Sequence, residues 1–72
     1  MSTIVDARGL SCPQPVLMTM DEIKKQEKGE IEILVDTDTS KENVSRAADS
    51  KGWQVKEVDE DNEGYRILIC KD

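Results

Sequence analysis

The chain has 72 residues, of which 36% are hydrophobic and 36% charged, so we expect one small domain spanning residues 1–72 with a modest core. The net charge of −6 is shared evenly by the two halves and disfavours direct nucleic-acid binding, which requires basic residues to neutralise phosphates. No apolar run approaches the roughly 20 residues of a transmembrane helix, and the first residues lack a signal-peptide pattern, so we expect a cytoplasmic protein without membrane contact.

The first half of the chain is predicted to form a strand, a loop and a helix. Residues 3–7 are a short apolar run typical of a strand, and residues 8–11 form the loop that follows. Residues 13–28 are predicted to form a helix that carries lysines in its last turns and ends before Gly29. The apolar residues at helical spacing, expected to face the core, are Val16, Leu17, Met20 and Ile23.

A second strand and a second helix follow. Residues 30–36 alternate between apolar and polar types, which predicts a strand with Ile31, Ile33 and Val35 on one face. Thr39 and Glu42 fit a capping box at the start of a helix that runs to about Lys51 and ends before Gly52. The residues of this helix expected to point inward are Val44, Ala47 and Ala48.

The last part of the chain reads as a hairpin. Residues 53–59 are predicted to be a third strand, residues 60–64 an acidic turn, and residues 65–71 a fourth strand. The fourth strand places Tyr65, Ile67 and Ile69 on one face.

This order predicts an α+β fold, β-α-β-α-β-β, in which a four-stranded mixed sheet carries both helices on one face as a two-layer sandwich. Right-handed crossovers make the first three strands parallel, and the hairpin makes the fourth antiparallel to the third. Leu34 and Leu68 would then point to the open face, either as ordinary scattered apolar residues or as part of a patch that docks a partner.

The most informative motif is Cys12-Pro13-Gln14-Pro15, directly before the first helix. Pro13 favours an extended Cys12, as in an N-cap, and itself suits the first helical position. Because prolines lack N–H groups, the N–H groups of Gln14 and Val16 are left to face the sulfur, and the positive helix end favours an anion there. Helix N-termini lower a cysteine pKa from about 8.5 to roughly 3.5–7.5, which predicts a nucleophilic thiolate at Cys12. The alternative is a rigid turn with an inert, buried cysteine.

Other residues that could carry chemistry are scarce. Histidine, the commonest general base and metal ligand, is absent. Two cysteines 58 positions apart are too few for a zinc site or a disulfide framework. The acidic residues 59–63 lack the spacing of a calcium loop. We therefore expect no metal and no other cofactor.

The second cysteine, Cys70, is predicted to lie far from Cys12. Cys70 ends a strand that runs opposite to the first strand, and a strand of about six residues spans roughly 20 Å. A disulfide needs Cα atoms within about 7 Å, so no bridge between the two cysteines is expected. Cys70 is most simply a strand residue, and a resolving thiol is the alternative.

Three neighbours of the motif each have two interpretations. Arg8 adds positive potential beside the sulfur or is a solvated loop arginine. Asp6 accepts a hydrogen bond from the loop backbone or is a solvated carboxylate. Met18 is an exposed partner contact near the thiol or fills a gap in the core.

Residues 6–16, DARGLSCPQPV, resemble the signature of the TusA/SirA/YedF sulfur-carrier family: a short strand, an Asp, Gly-Leu, then Cys-Pro-x-Pro opening a helix. The strand at residues 65–69 also fits, and residues 40–44 with residues 51–52 resemble the YedF branch more than TusA itself. The resemblance implies a single TusA/SirA-like domain with the β-α-β-α-β-β fold, which is also that of the C-terminal domain of translation initiation factor 3.

The resemblance further implies a function. Cys12 would accept sulfane sulfur as a persulfide from a cysteine desulfurase or a rhodanese-like donor. It would relay the sulfur to an acceptor protein in tRNA thiolation, cofactor synthesis or other sulfur or selenium metabolism. The residues that shape its loop would be Asp6, Arg8, Gly9, Leu10, Pro13, Gln14 and Pro15.

Three functions therefore compete. The first is a persulfide carrier, which is a component of a sulfurtransferase system and not a stand-alone enzyme. The second is a thiol-disulfide redox regulator, disfavoured by the lack of a Cys-x-x-Cys pair. The third is a nucleic-acid-binding or regulatory module, which rests on fold analogy alone.

Overall fold

A computed structural model describes residues 2–10, 14–62 and 64–72. Its elements follow the predicted order β-α-β-α-β-β. They are β1 (Ser2–Asp6), α1 (Gln14–Gln26), β2 (Gly29–Val35), α2 (Asp38–Ser50), β3 (Gln54–Asp61) and β4 (Gly64–Lys71).

The four strands form one mixed sheet in the order β1-β2-β4-β3. β1 pairs parallel with β2, and β4 lies antiparallel between β2 and β3, so β1, β2 and β3 share one direction as predicted. The strand order has a physical reason, because the isoleucines of β4 pair with those of β2. Ile69 lies opposite Ile31 and Ile67 opposite Ile33, and all four are fully buried. The most apolar strands therefore take the centre of the sheet.

The hairpin between β3 and β4 is tighter than predicted. Asp61 pairs with Gly64, so the strands extend into residues 60–64, for which the sequence pattern predicts a turn. A register shift between Val55 and Glu57 marks a bulge in β3, and every residue of this strand is exposed. β3 is therefore a charged edge strand, a common protection of sheets against edge-to-edge association.

The core lies between one face of the sheet and the two helices. Trp53, directly before β3, is only 1% exposed and is the largest buried side chain. From α2, Val44 and Ala48 are fully buried as predicted, whereas Ala47 is half-buried. Within the described residues, neither helix is long and apolar enough to cross a membrane.

The buried face of α1 differs from the prediction. Leu17, expected to point inward, is 59% exposed. The buried residues are instead Pro15, Thr19 and Ile23, spaced four apart, while Val16 and Met20 are half-buried. Thr19 is tolerated in the core because its hydroxyl donates a hydrogen bond of 2.9 Å to the Pro15 carbonyl oxygen. A prediction from the apolar residues alone therefore misplaces the buried face of α1, because Thr19 lies at the centre of that face.

The start of α2 also corrects the prediction. The N-cap is Thr37, not Thr39: Thr37 is extended, and its hydroxyl accepts a hydrogen bond of 3.1 Å from the Ser40 N–H. The helix begins two residues earlier than the capping-box pattern suggests. This start places Asp38 in the first turn, where a carboxylate suits the helix dipole and pairs with Lys41 at 3.0 Å.

The face of the sheet opposite the helices is open. Leu34 and Leu68, predicted to point there, are half-buried, and Ile4 is 62% exposed. Arg66 crosses this face and pairs with Glu32 at 3.3 Å and with Asp59 at 2.8 Å. In the sheet register Arg66 lies opposite Leu34 and Glu32 opposite Leu68, so the open face combines apolar and charged side chains.

Candidate functional site

The second half of the Cys-Pro-x-Pro motif, Gln14 and Pro15, forms the start of α1. Cys12 and Pro13 lie outside the described residues, so the predicted thiolate and the proline-shaped N-cap remain predictions. The structure describes the chain on both sides of them, from Ala7 to Leu10 and from Gln14 onward.

Asp6 and Arg8 form a bidentate pair at the end of β1. Arg8 donates from Nε to Asp6 Oδ1 at 3.0 Å and from Nη2 to Oδ2 at 3.0 Å. The Arg8 backbone N–H also donates to Asp6 Oδ1 at 3.2 Å. The Arg8 side-chain hydrogen bonds, followed by its backbone hydrogen bond, hold the pKa of Asp6 below its usual value. Asp6 therefore does bind the loop backbone, and the Arg8 charge is shared with it, which reduces the positive potential predicted beside Cys12.

A second carboxylate, missed in the sequence, holds the next residue of the loop. The Gly9 N–H donates a hydrogen bond of 2.7 Å to Oδ2 of Asp36, a residue 27 positions later. Gly9 has a φ of +79°, in the left-handed region that favours glycine. The signal for Asp36 was its position directly after β2, because parallel neighbours end at the same edge of a sheet. Recognising it required the pairing of β1 with β2.

The loop is also anchored to the core. Ala7 is fully buried, and its N–H donates to the Leu34 carbonyl oxygen at 2.8 Å, which extends the β1–β2 pairing by one residue. Leu10 is partly buried and packs against the core. The chain therefore approaches Cys12 along a path held by backbone, carboxylate and apolar contacts.

The last two residues of the motif, Gln14 and Pro15, open α1. Pro15 is fully buried and accepts the hydrogen bond from Thr19, whereas Gln14 is exposed. The second proline of the motif is thus a core residue as well as a helix-starting one. The start of α1 is held against the sheet while Gln14 faces solvent at the helix tip.

Gly64 supports the same end of the sheet. A Cβ on Gly64 would clash with the Val35 carbonyl oxygen and lie 2.7 Å from the Asp36 Cα. The start of β4 is therefore in direct backbone contact with Val35 and Asp36. The side chain of Asp36 is the acceptor of the Gly9 N–H.

Cys70 lies at the far end of the sheet. It is a half-buried free thiol on the open face, opposite Glu30 on β2 and Gln54 on β3. Glu30 also pairs with Ser2, the first residue of β1. Cys70 is therefore level with Ser2, four residues and roughly 13 Å along the sheet from Asp6.

A shallow groove of about 660 Å³ runs beside the exposed Leu17. Met18 lines this groove and also packs against the core, so it fills a gap and contributes to the surface. The other lining residues are Met20, Asp21, Ile23, Lys24 and Lys51. Among the residues that the structure describes, no three His, Cys, Asp or Glu side chains are grouped to hold a metal ion.

Comparison with known proteins adds to this geometry. The model of the family described as "Sulfurtransferase TusA" matches residues 3–71. A protein of Archaeoglobus fulgidus named "Putative sulfur carrier protein" is 30% identical over 69 residues, covering 94% of each chain. The Escherichia coli protein named "Putative sulfur carrier protein YedF" is 32% identical over 68 residues, covering 93% of this chain and 88% of its own.

A solved structure is similar over the same length. The crystal structure of a SirA-like protein from Desulfitobacterium hafniense superimposes with a TM-score of 0.85 at 30% identity, covering 97% of this chain and 96% of that one. The resemblance read from residues 6–16 is thus confirmed over nearly the whole length. The chain belongs to the TusA/SirA/YedF family.

Proposed function

We propose that this protein is a sulfur carrier in which Cys12 accepts sulfane sulfur as a persulfide and relays it to an acceptor protein. The observation that best supports this proposal is the convergence of two anchored segments on the motif. The loop before Cys12 is held by the carboxylates of Asp6 and Asp36, and Pro15 anchors the start of α1 after it. The family adds the expectation that such a site carries sulfur.

The chemistry requires one nucleophilic sulfur at this position. The Cys12 thiolate attacks the terminal sulfur of a donor persulfide, the donor S–S bond breaks, and the donor thiolate leaves. In the second step a nucleophile of the acceptor attacks the terminal sulfur on Cys12, and the Cys12 thiolate is released. Each step exchanges one sulfur–sulfur bond for another bond to the same sulfur, so no outside oxidant or reductant is needed when the acceptor is also a thiolate.

The N-terminus of α1 favours the charged forms in both steps. The N–H groups of its first turn and the positive end of its dipole would stabilise a thiolate before loading and a persulfide anion afterwards. Because the chain has no histidine, the donor and acceptor proteins supply the acids and bases that the transfers need. We propose a cysteine desulfurase or a rhodanese-like protein as the donor.

A carrier that works through free thiols needs a reducing compartment, so we place this relay in the cytoplasm. The redox alternative is weaker, because Cys70 lies level with Ser2, at the end of the sheet opposite Asp6, the last residue of β1. We infer that Cys70 is too far from Cys12 to resolve a disulfide there within one folded chain, since a disulfide needs Cα atoms within about 7 Å.

The test is loading by a cysteine desulfurase supplied with cysteine, followed by intact-mass measurement. We expect wild-type protein and Cys70→Ser to gain about 32 Da, the mass of one sulfur atom, and Cys12→Ser to gain nothing. Cys70→Ser is the matched control, since it also removes one thiol. Equal loading of Cys12→Ser would contradict the proposal, and a Cys12–Cys70 disulfide in place of the adduct would favour the redox function.

A further inference from the structure

We propose that Asp36 is a positioning residue for Cys12, and this inference deepens the proposed function on which it rests. The Asp36 carboxylate accepts the Gly9 N–H at 2.7 Å, three residues before the cysteine. Asp36 acts on Cys12 through the loop, because it holds the backbone of Gly9, from which the chain continues toward the cysteine.

The hydrogen bond to Asp36 is one of two that fix consecutive peptide groups. The Arg8 N–H donates to Asp6 on β1, and the Gly9 N–H donates to Asp36 at the end of β2. Hydrogen bonds to carboxylates are stronger than neutral ones, and two in succession leave the chain little freedom of direction. With Gly9 in the left-handed region, the direction in which the chain leaves Gly9 toward Leu10 is set by these two acceptors.

Asp36 is itself held in place from two sides. It lies between the last residue of β2 and Thr37, the N-cap of α2. On its other side, Gly64 of β4 approaches the Asp36 Cα so closely that a Cβ would sit 2.7 Å away. A residue fixed by the junction of β2, α2 and β4 is a rigid support for a loop that needs a defined geometry.

The positioning role has a signature that separates it from simple electrostatics. A carboxylate near a thiol disfavours the thiolate, so removing its charge alone lowers the thiol pKa. Removing a support that keeps the thiol at the helix N-terminus does the opposite and raises the pKa toward the unperturbed value. The sign of the change at Cys12 therefore distinguishes the two effects.

The experiment follows alkylation of Cys12 by iodoacetamide as a function of pH, by mass spectrometry, in the Cys70→Ser background. We expect Asp36→Ala to raise the apparent pKa of Cys12 and to slow its alkylation at pH 7 by roughly tenfold. Asp36→Asn keeps an acceptor oxygen, so we expect its Cys12 pKa and alkylation rate to lie between those of Asp36→Ala and the parent. The matched control Asp38→Asn removes a charge two residues away, and its alkylation rate at pH 7 should stay within about twofold of that of the parent.

An unchanged or lowered Cys12 pKa in Asp36→Ala, or a change equal to that in Asp38→Asn, would overturn the proposal. Circular dichroism and urea unfolding establish that each variant is folded. If Asp36→Ala does not fold, Asp36→Asn decides: a raised pKa supports the proposal and a pKa at or below that of the parent refutes it. Because alkylation needs no sulfur donor, failure of wild-type loading would refute the proposed function and leave the result on Asp36 intact.

Discussion

At the scale of single residues, the site is organised by carboxylates that bind backbone. Asp6 and Asp36 come from neighbouring parallel strands and accept the N–H groups of Arg8 and Gly9. The sequence predicted a loop-shaping role for Asp6, Arg8 and Gly9. It did not identify Asp36, because the contact joins residues 27 positions apart and depends on the pairing of β1 with β2.

The Asp6–Arg8 pair gives stability a defined pH dependence. The pKa of Asp6 is lower in the folded chain than its usual 3.8, so its contribution is complete above that value and is lost as the pH falls through the folded pKa. We therefore expect Asp6→Asn to be less stable than wild type at pH 7 and to converge with it in acid, as measured by urea unfolding. Arg8→Gln removes the other member of the ion pair and should show the same convergence. Parallel pH profiles for wild type and Asp6→Asn would contradict the assignment.

Gly9 and Gly64 resist substitution for different physical reasons. At Gly9 no atom of the described residues, apart from Gly9 and its chain neighbours, lies within 4 Å of the place a Cβ would take, and the φ of +79° is the unfavourable feature, so Gly9→Ala should cost about 1 kcal/mol of unfolding free energy. At Gly64 the added Cβ meets the backbone of Val35 and Asp36, so Gly64→Ala should cost about 3 kcal/mol. Chemical denaturation compares the two. Gly9→Asn is the control, since asparagine tolerates the left-handed region. If Gly64→Ala were no less stable than Gly9→Ala, the backbone of Val35 and Asp36 would be able to move away from the added Cβ at little cost, which would contradict this prediction.

At the scale of elements, the helix starts show where sequence patterns suffice and where they fail. The end of α2 before Gly52, which has a φ of +81°, matches the predicted stop signal, and the buried Val44 and Ala48 match the predicted periodicity. The start of α2 does not, because Thr37 and Thr39 both have capping side chains and the pattern favoured the one followed by Glu42. The direction in which the chain leaves β2 places Thr37, and not Thr39, at the N-cap. This direction depends on the tertiary structure and cannot be read from the local sequence.

The two candidate caps make a direct comparison. Thr37→Ala removes the acceptor of the Ser40 N–H and should cost about 1 kcal/mol of unfolding free energy. Thr39→Ala, an exposed position inside the first turn, should change stability by less than about 0.5 kcal/mol. Urea unfolding of both variants at pH 7 measures the difference. Equal losses of stability, or a larger loss for Thr39→Ala, would contradict Thr37 as the N-cap and favour the capping box at residues 39–42.

At the scale of the whole molecule, the order of elements and the two-layer architecture could be predicted from periodicity and turn residues. The position of β4 between β2 and β3 could not, since it depends on the pairing of Ile31 with Ile69 and of Ile33 with Ile67 across the chain. The same topology separates Cys70 from the motif end of the sheet. A net charge of −6 further favours association with partners that present basic surfaces.

The most direct measurement asks whether sulfur loaded on Cys12 can leave it again. Protein loaded by the desulfurase is separated from its donor and treated with cyanide, a nucleophile that removes sulfane sulfur as thiocyanate. For a carrier we expect one thiocyanate per loaded chain and the return of the Cys12 peptide to its original mass, in wild type and in Cys70→Ser alike. Sulfur that stays on the chain, or that is released equally from Cys12→Ser, would contradict a relay through Cys12.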